Sequence, residues 1–199
     1  EVYGARRCVL ARPPRIAAQL VFSPALPESA ILAMTEIATW MAGQAKVVAI
    51  YDRPFWREAG LSGDAMSRYG PMVEIHDASP SGGASYALFG FIGVPPQVRG
   101  DEAMRQQILA QLGRLFGPEA IKPVRLLLKD WAYDPFTATR RDWQALQAHP
   151  QYGLPDASLS LWDNCLIFAG TEVASQYGGY LEGALEAAEI ALVSLLGKS

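Results

Sequence analysis

One stretch limits the possible folds of this chain more than any other. It is Leu166-Ile-Phe-Ala-Gly-Thr-Glu172, continuing through Gln176-Tyr-Gly-Gly-Tyr-Leu-Glu-Gly183. The apolar run from Leu166 to Phe168 reads as a short buried strand. Ala169 and Gly170 follow it and let another backbone or a ligand come close. Thr171 and Glu172 set a hydroxyl and a carboxylate at the strand's end, and Gly178 and Gly179 break the chain again. From Tyr180 a helical period begins, with Leu181, Ala184, Leu185, Ala188, Leu192, Leu195 and Leu196 on one face. A strand, a glycine turn and a glycine pair before a helix gather free backbone N–H groups at one spot, which favours an electron-rich or anionic group. The same pattern also suits a terminal strand and helix that only close a core.

The rest of the chain supplies further strands and two more helices. Arg6 to Ala11 reads as a strand ended by Pro13 and Pro14, and Ile16 to Phe22 holds a second apolar run closed by Pro24 and Pro27. Glu28 to Met41 keeps an approximate helical period. Lys46 to Tyr51 is a strand apolar on both faces, which predicts burial on both sides. Met72–His76, Ser85–Gly93 and Pro123–Trp131 add strands, and Phe55 and Trp56 fit a core. Asp101 to Phe116 is the clearest helix. Met104, Ile108, Leu109, Leu112, Leu115 and Phe116 form its stripe, while Arg105, Gln106, Gln107 and Gln111 fall mostly outside it. Gln144 to Asp156 is irregular, with the shape of a lid or entrance loop. The order of elements predicts an α+β fold, with a mixed or mostly antiparallel sheet covered by helices rather than a regular βαβ series.

Composition removes several classes. A net charge of −3 gives no general attraction for nucleic acid. No apolar run approaches a membrane span, and no signal peptide opens the chain, so a cytoplasmic location is expected. Cys8 and Cys165 make neither a disulfide framework nor a metal signature and are expected to be buried free thiols. His76 and His149 lack the company a metal needs. No G-x-G-x-x-G turn occurs.

Phe168-Ala-Gly-Thr-Glu172 and Gly179-Tyr-Leu-Glu-Gly-Ala184 closely resemble the C-terminal signature of the flavin-containing amine oxidases, the monoamine oxidase family. The resemblance implies that Gly170 and Thr171 lie against FAD. It also implies that Gly179, Tyr180 and Leu181 begin a helix aimed at the flavin's pyrimidine end, where negative charge develops on reduction. The phrase from Cys8 to Pro27 is similar to the family's passage between its two domains, which would bring Ala11 and Arg12 near the flavin; the family usually has an apolar residue where Arg12 stands. Lys46, followed by Arg53-Pro-Phe-Trp-Arg57 and Gly60-Leu-Ser-Gly63, matches the lysine that holds a water beside flavin N5. Such a lysine, once desolvated, can also act as a proton acceptor. Trp131, in Lys129-Asp-Trp-Ala-Tyr-Asp-Pro-Phe-Thr137, matches the tryptophan shortly before the flavin.

The chain departs from the monoamine oxidases in the strict sense where they carry a cysteine bonded to FAD and then a tyrosine. Those positions hold Arg140 and Arg141. FAD is therefore expected to be non-covalent. The aromatic pair around the substrate amine keeps Tyr180 but lacks its usual partner. Trp143 on a shifted loop is one substitute, and Arg141 gripping a substrate carboxylate is another reading; a surface charge is the plain alternative.

The implied organisation is residues 1–22 ending an FAD-binding domain, 23–160 a substrate domain, and 161–199 the C-terminal flavin-contacting strand and helix. The N-terminal nucleotide-binding portion is expected to lie outside this chain. The implied reaction oxidises an amine to an imine with O2 reduced to hydrogen peroxide, with Lys46 and Tyr180 as its catalytic residues. The alternatives are an inactive substrate-domain fragment serving as a binding module, an L-amino-acid oxidase, and a desaturase or porphyrinogen oxidase sharing the signature.

Overall fold

The computed structural model describes residues 1–83, 85–156 and 161–197. In chain order its elements are β1 (Cys8–Leu10), α1 (Pro14–Ala17), α2 (Glu28–Glu36), β2 (Ala45–Tyr51), α3 (Phe55–Glu58), β3 (Ala65–Met66), β4 (Met72–Asp77), β5 (Tyr86–Ile92), α4 (Asp101–Phe116), β6 (Arg125–Asp130), β7 (Leu166–Phe168) and α5 (Leu181–Leu196). The chain packs as two compact units. Glu1–Ala42 joins Tyr133–Ser199 in the first, and Gly43–Ala132 forms the second. This division by packing differs from the functional boundaries expected at 22/23 and 160/161, and residue 160 lies outside the described residues.

The second unit is an antiparallel sheet of five strands in the order β3-β4-β5-β2-β6, with α4 against it. Every hydrogen-bonded pair is antiparallel, while α4 carries the chain from β5 to β6, which lie on either side of β2 and therefore run the same way. Val47 pairs with Gly90 on one side and Leu128 on the other. Ala45, Val47, Ala49 and Tyr51 point into the core, while Lys46, Val48 and Ile50 are only half-buried. The expected burial on both faces is thus corrected to a clean alternation. Phe55 and Trp56 are core residues, as expected. The Trp56 indole N–H donates to Asp77 at 2.8 Å. Burial opposes a charge on Asp77, but hydrogen bonds from Arg57, Ser79 and Trp56 outweigh it and hold the carboxyl well below the usual carboxylate range.

Helix α4 keeps its expected ends, but Gln111 is fully buried rather than outside the apolar stripe. Its amide NH2 donates to the Met72 carbonyl at 2.7 Å and its oxygen accepts the Met72 N–H at 2.8 Å. The side chain therefore satisfies both backbone groups at the start of β4, as a neighbouring strand would. Gly70, at φ +107°, leaves the room, because a Cβ there would run into the Gln111 amide.

The first unit is built on a two-stranded parallel sheet of β1 and β7, with Cys8 opposite Leu166 and Leu10 opposite Phe168. Ala17, Met34, Leu166, Phe168, Val173 and Ala187 belong to its core. Within the Ile16–Phe22 run the chain forms not a strand but the end of α1, entered through Pro14 at its first position. Helix α2 stops at Glu36, short of the expected Met41. The reason is a competing set of bonds. The Thr39 N–H goes to Asp142 at 3.4 Å and the Trp40 N–H to the Tyr152 hydroxyl at 2.9 Å, in place of helical carbonyls.

Two expectations about burial fail in this unit. Cys8 is exposed and Cys165 half-buried, both as free thiols. Helix α5 turns its leucines outward and packs through Gly183, Ala187 and Ala191. Leu181 is 90% exposed and Leu185 61%. Small residues let the helix backbone come close to the segment from Thr171 to Tyr177, which larger side chains on that face would prevent. Among the described residues no helix is long and apolar enough to cross a membrane.

Candidate functional site

The site is organised where β7 ends. A Cβ on Gly170 would lie 2.7 Å from the Arg12 carbonyl oxygen. The close approach that the glycine permits is therefore to another backbone, the turn after β1. Thr171 follows in a short 3-10 turn, Thr171–Val173. Its hydroxyl accepts the Gly179 N–H at 2.9 Å and donates to the Tyr180 carbonyl at 2.8 Å. One side chain thus straps the turn before α5 to the end of β7. Gly179 stands at φ +83°, a conformation that costs glycine little and other residues more. The Glu186 carboxylate accepts the N–H groups of Ser175 and Tyr177 from the same loop, at 3.1 and 3.3 Å.

Tyr180 is the N-cap of α5, with extended backbone. The amides of the first turn have no intrahelical acceptor, and the helix dipole adds partial positive charge there. Tyr180 is 55% exposed, so this helix end is open. From Thr171 a groove of about 590 Å³ runs along the flank of α5 as far as Leu195, lined among others by Ala11, Arg12, Gly170, Glu172 and Ala188. The structure therefore brings together seven of the residues singled out in sequence: Ala11, Arg12, Gly170 and Thr171 on the groove, with Gly179, Tyr180 and Leu181 at the strapped helix end. The Arg12 guanidinium lies 5.6 Å from the centre of the Phe136 ring, a cation–π contact. A helix N-terminus with free amides suits the electron-rich edge of a flavin ring, so the donor set present fits that group.

Lys46 and Trp131 belong to the second unit. Lys46 is half-buried in β2, with Nζ 5.3 Å from the centre of the Phe91 ring and Lys129 opposite it on β6. Trp131 follows the end of β6 in a 3-10 turn rather than completing the strand. Its N–H donates to the Gln44 carbonyl at 3.0 Å, and the Lys129 ammonium lies 4.7 Å from its ring centre. Arg141 is exposed and ion-paired with Glu36 at 2.6 Å. Arg140 lies over Trp143 and Trp143 leans on Tyr133, and among the described residues neither arginine nor Trp143 stacks on Tyr180. The ring that does is His149, parallel to Tyr180 at 4.9 Å. Sequence placed His149 only in an irregular loop, and no spacing pattern marks it.

Behind the groove lies a buried charge cluster that the sequence did not announce. Arg15 donates to Asp142 at 2.5 Å and to the carbonyls of Thr35 and Glu36. Glu172 is also buried, at 3% exposure. Burial raises its pKa, a bond from its own backbone amide works against that, and the Asp142 charge raises it further. A carboxyl whose folded pKa lies above its unfolded value favours folding at low pH, and that contribution is lost as pH rises through the folded value. Glu172→Gln should therefore stabilise the protein at neutral pH, with the gain shrinking as pH falls through the ordinary glutamate range. Urea midpoints at ~pH 7 and ~pH 4 test this; an equal difference at both would show that Glu172 ionises as freely folded as unfolded.

The sequence profile of the family described as flavin containing amine oxidoreductase matches residues 1–191. A protein from Dictyostelium discoideum described as a probable flavin-containing monoamine oxidase A is 28% identical over 94% of this chain and 41% of its own length. An L-amino acid dehydrogenase from Synechocystis is 26% identical over 98% of the chain and 41% of its own length. The solved structure of cyclohexylamine oxidase from Brevibacterium oxydans is 25% identical, with a TM-score of 0.70 over 98% of this chain and 44% of that one. The chain thus spans well under half the length of these relatives.

Proposed function

The chain belongs to the flavin containing amine oxidoreductase family, and from that premise we propose that it supplies the substrate side and the C-terminal flavin contact of an FAD-dependent amine oxidase. The observation that carries this reading is the open N-terminus of α5, strapped to β7 by Thr171 at the edge of the groove. Gly170, Thr171 and the first amides of α5 would hold the flavin without a covalent bond, with Ala11, Arg12 and Trp131 as further contacts. Bound FAD would supply the two-electron acceptor for the carbon bearing the amine, with O2 as the final oxidant, so that two electrons and two protons leave the amine as it becomes an imine and appear in hydrogen peroxide.

The residues of this chain have separate tasks. The α5 dipole stabilises negative charge that develops on the cofactor. The exposed face of Tyr180 orients the substrate's amine. The Lys46 ammonium holds a water and favours the build-up of negative charge on O2 as it is reduced. The adenine and pyrophosphate contacts come from a nucleotide-binding portion outside residues 1–199. Two features of the first unit support a covering portion. β1 is a largely exposed strand of a two-stranded parallel sheet, and parallel sheets are stable when covered on both faces. The leucine face of α5 is also bare.

The test uses the full-length protein. A flavin absorbance band, with free FAD released on denaturation, together with peroxide formed from primary amines, is the expected result. A protein that binds no flavin overturns the reading. Lys46→Met should lower the rate of oxidation by O2 by about tenfold or more, through lost charge stabilisation, while leaving the amine KM within about threefold. A variant with unchanged O2 kinetics removes Lys46 from this role.

The Synechocystis relative favours a second reading, oxidation of L-amino acids with an acceptor other than O2. Amine and L-amino-acid panels, each run with O2 and with an artificial electron acceptor, separate the two.

A further inference from the structure

We propose that His149 is the positioning residue for Tyr180, a fixed backing ring that leaves the opposite face of the phenol as the surface that meets a substrate cation. This rests on the reading of Tyr180 as the ring that orients the amine. The imidazole lies parallel to the phenol, at 6° and 4.9 Å between centres, within the range of attractive aromatic stacking. It is gripped on other sides as well. Trp40 leans on it at 4.9 Å, and Tyr152 meets it edge-on at 5.5 Å.

Tyr152 is itself fixed. Its hydroxyl donates to the Ala38 carbonyl at 2.7 Å and accepts the Trp40 N–H at 2.9 Å. The pedestal thus ties the 38–40 and 149–152 segments to the turn at Gly179. Gly179 makes the fit possible, because a Cβ there would lie 2.9 Å from the Tyr152 ring and 3.0 Å from His149 Nε2.

The hydrogen bonding of the imidazole separates stacking from polar anchoring. Its Nδ1 lies 2.8 Å from the Pro150 carbonyl, which can only accept, so Nδ1 carries the proton. Nε2 is buried and has no partner among the described residues. That nitrogen does not hold the ring in place; the ring contacts and one bond to a neighbouring carbonyl do. An aromatic ring without nitrogens should therefore position Tyr180 nearly as well, and a methyl group should not. Because Tyr180 is 55% exposed with one face against His149, its other face is open to a cation.

The experiment measures binding of benzyltrimethylammonium, a cation with no N–H to lose, to the full-length flavin-loaded protein by calorimetry, beside steady-state oxidation of benzylamine. His149→Ala should weaken cation binding and raise the amine KM by about 3- to 10-fold, with kcat changed less. His149→Phe should stay within about twofold of the parent in both. With Tyr180→Leu the two substitutions should not add, since each removes the same surface. Unchanged binding in His149→Ala, equal loss in the Phe and Ala variants, full additivity, or no cation binding by the parent would each overturn the proposal. A protein that binds the cation in this His149-dependent way but oxidises no amine would keep the pedestal and refute the oxidase reading. Amine turnover that is indifferent to His149 would do the reverse.

Discussion

Replacing Asp142 with alanine should destabilise the protein by about 3–5 kcal/mol, the range found when one partner of a buried ion pair is removed and the other is left behind. Arg15 and Asp142 are 9% and 2% exposed at their side chains, so a lone guanidinium would have little water to fall back on. The arginine's two remaining bonds, to the Thr35 and Glu36 carbonyls, cannot neutralise it. Asp142 also has a second task. Its other oxygen accepts both the N–H and the hydroxyl of Thr139, closing a capping box on the 3-10 turn Arg140–Trp143. The loss is therefore expected both at the turn and at the end of α2, where Thr39 donates to the same carboxylate. Asp142→Asn keeps the shape and most of the acceptors but removes the charge, and should fall between parent and alanine variant. Removing both charges, with Arg15→Met and Asp142→Leu, should recover part of the loss, because the desolvation cost leaves with the pair. Urea unfolding with an unchanged slope measures it. A loss below about 1 kcal/mol for Asp142→Ala would mean that the pair behaves as a solvated surface bridge.

That ion pair also marks where sequence reading stops. Arg15 and Asp142 are 127 positions apart, and neither sits in a local pattern that signals burial or pairing. The local pattern singles out the neighbouring Arg141 instead, whose side chain is exposed and bridged to Glu36. Features with a local cause were legible. The apolar stripe and terminal glycine of Asp101–Phe116 gave α4 its ends, and Leu166–Phe168 was readable as β7 because three apolar residues run into a glycine turn. The Thr171 and Gly179 positions were legible for the same reason. What failed was the assignment of faces. Gln111 looked solvated because it is polar, yet it fills the place of a missing strand neighbour at Met72. The leucines of α5 looked like its inner face because they are the larger apolar residues, yet close packing selected the small side chains opposite them. Tyr180's stacking partner was invisible because rings from three distant segments meet at Gly179, and no spacing encodes that meeting.

Gly183→Ala tests that choice of face with the smallest possible change and should be costly. In an exposed helix the substitution would stabilise by about 1 kcal/mol, since alanine loses less backbone entropy than glycine. Here an added Cβ would overlap the Tyr177 carbonyl and stand 2.7 Å from the Thr171 hydroxyl. The first is backbone that also accepts the Tyr180 N–H, and the second is the strap between β7 and the helix end, so neither can move without releasing the turn. Overpacking against rigid neighbours costs about 1–3 kcal/mol and occasionally more. The net expectation is a destabilisation of about 2 kcal/mol, opposite in sign to helix propensity. The displaced first turn would carry Tyr180 and Leu181 with it, so flavin affinity and amine KM should worsen together by about tenfold in the full-length protein. Ala187→Gly is the control, because it removes a methyl group from the same buried face one turn on without touching the strap. It should lose stability but leave KM within about twofold. If Gly183→Ala raised the urea midpoint, the close contact between α5 and the Thr171–Tyr177 segment would not exist in solution, and the strapped position of Tyr180 beside Thr171 would fall with it.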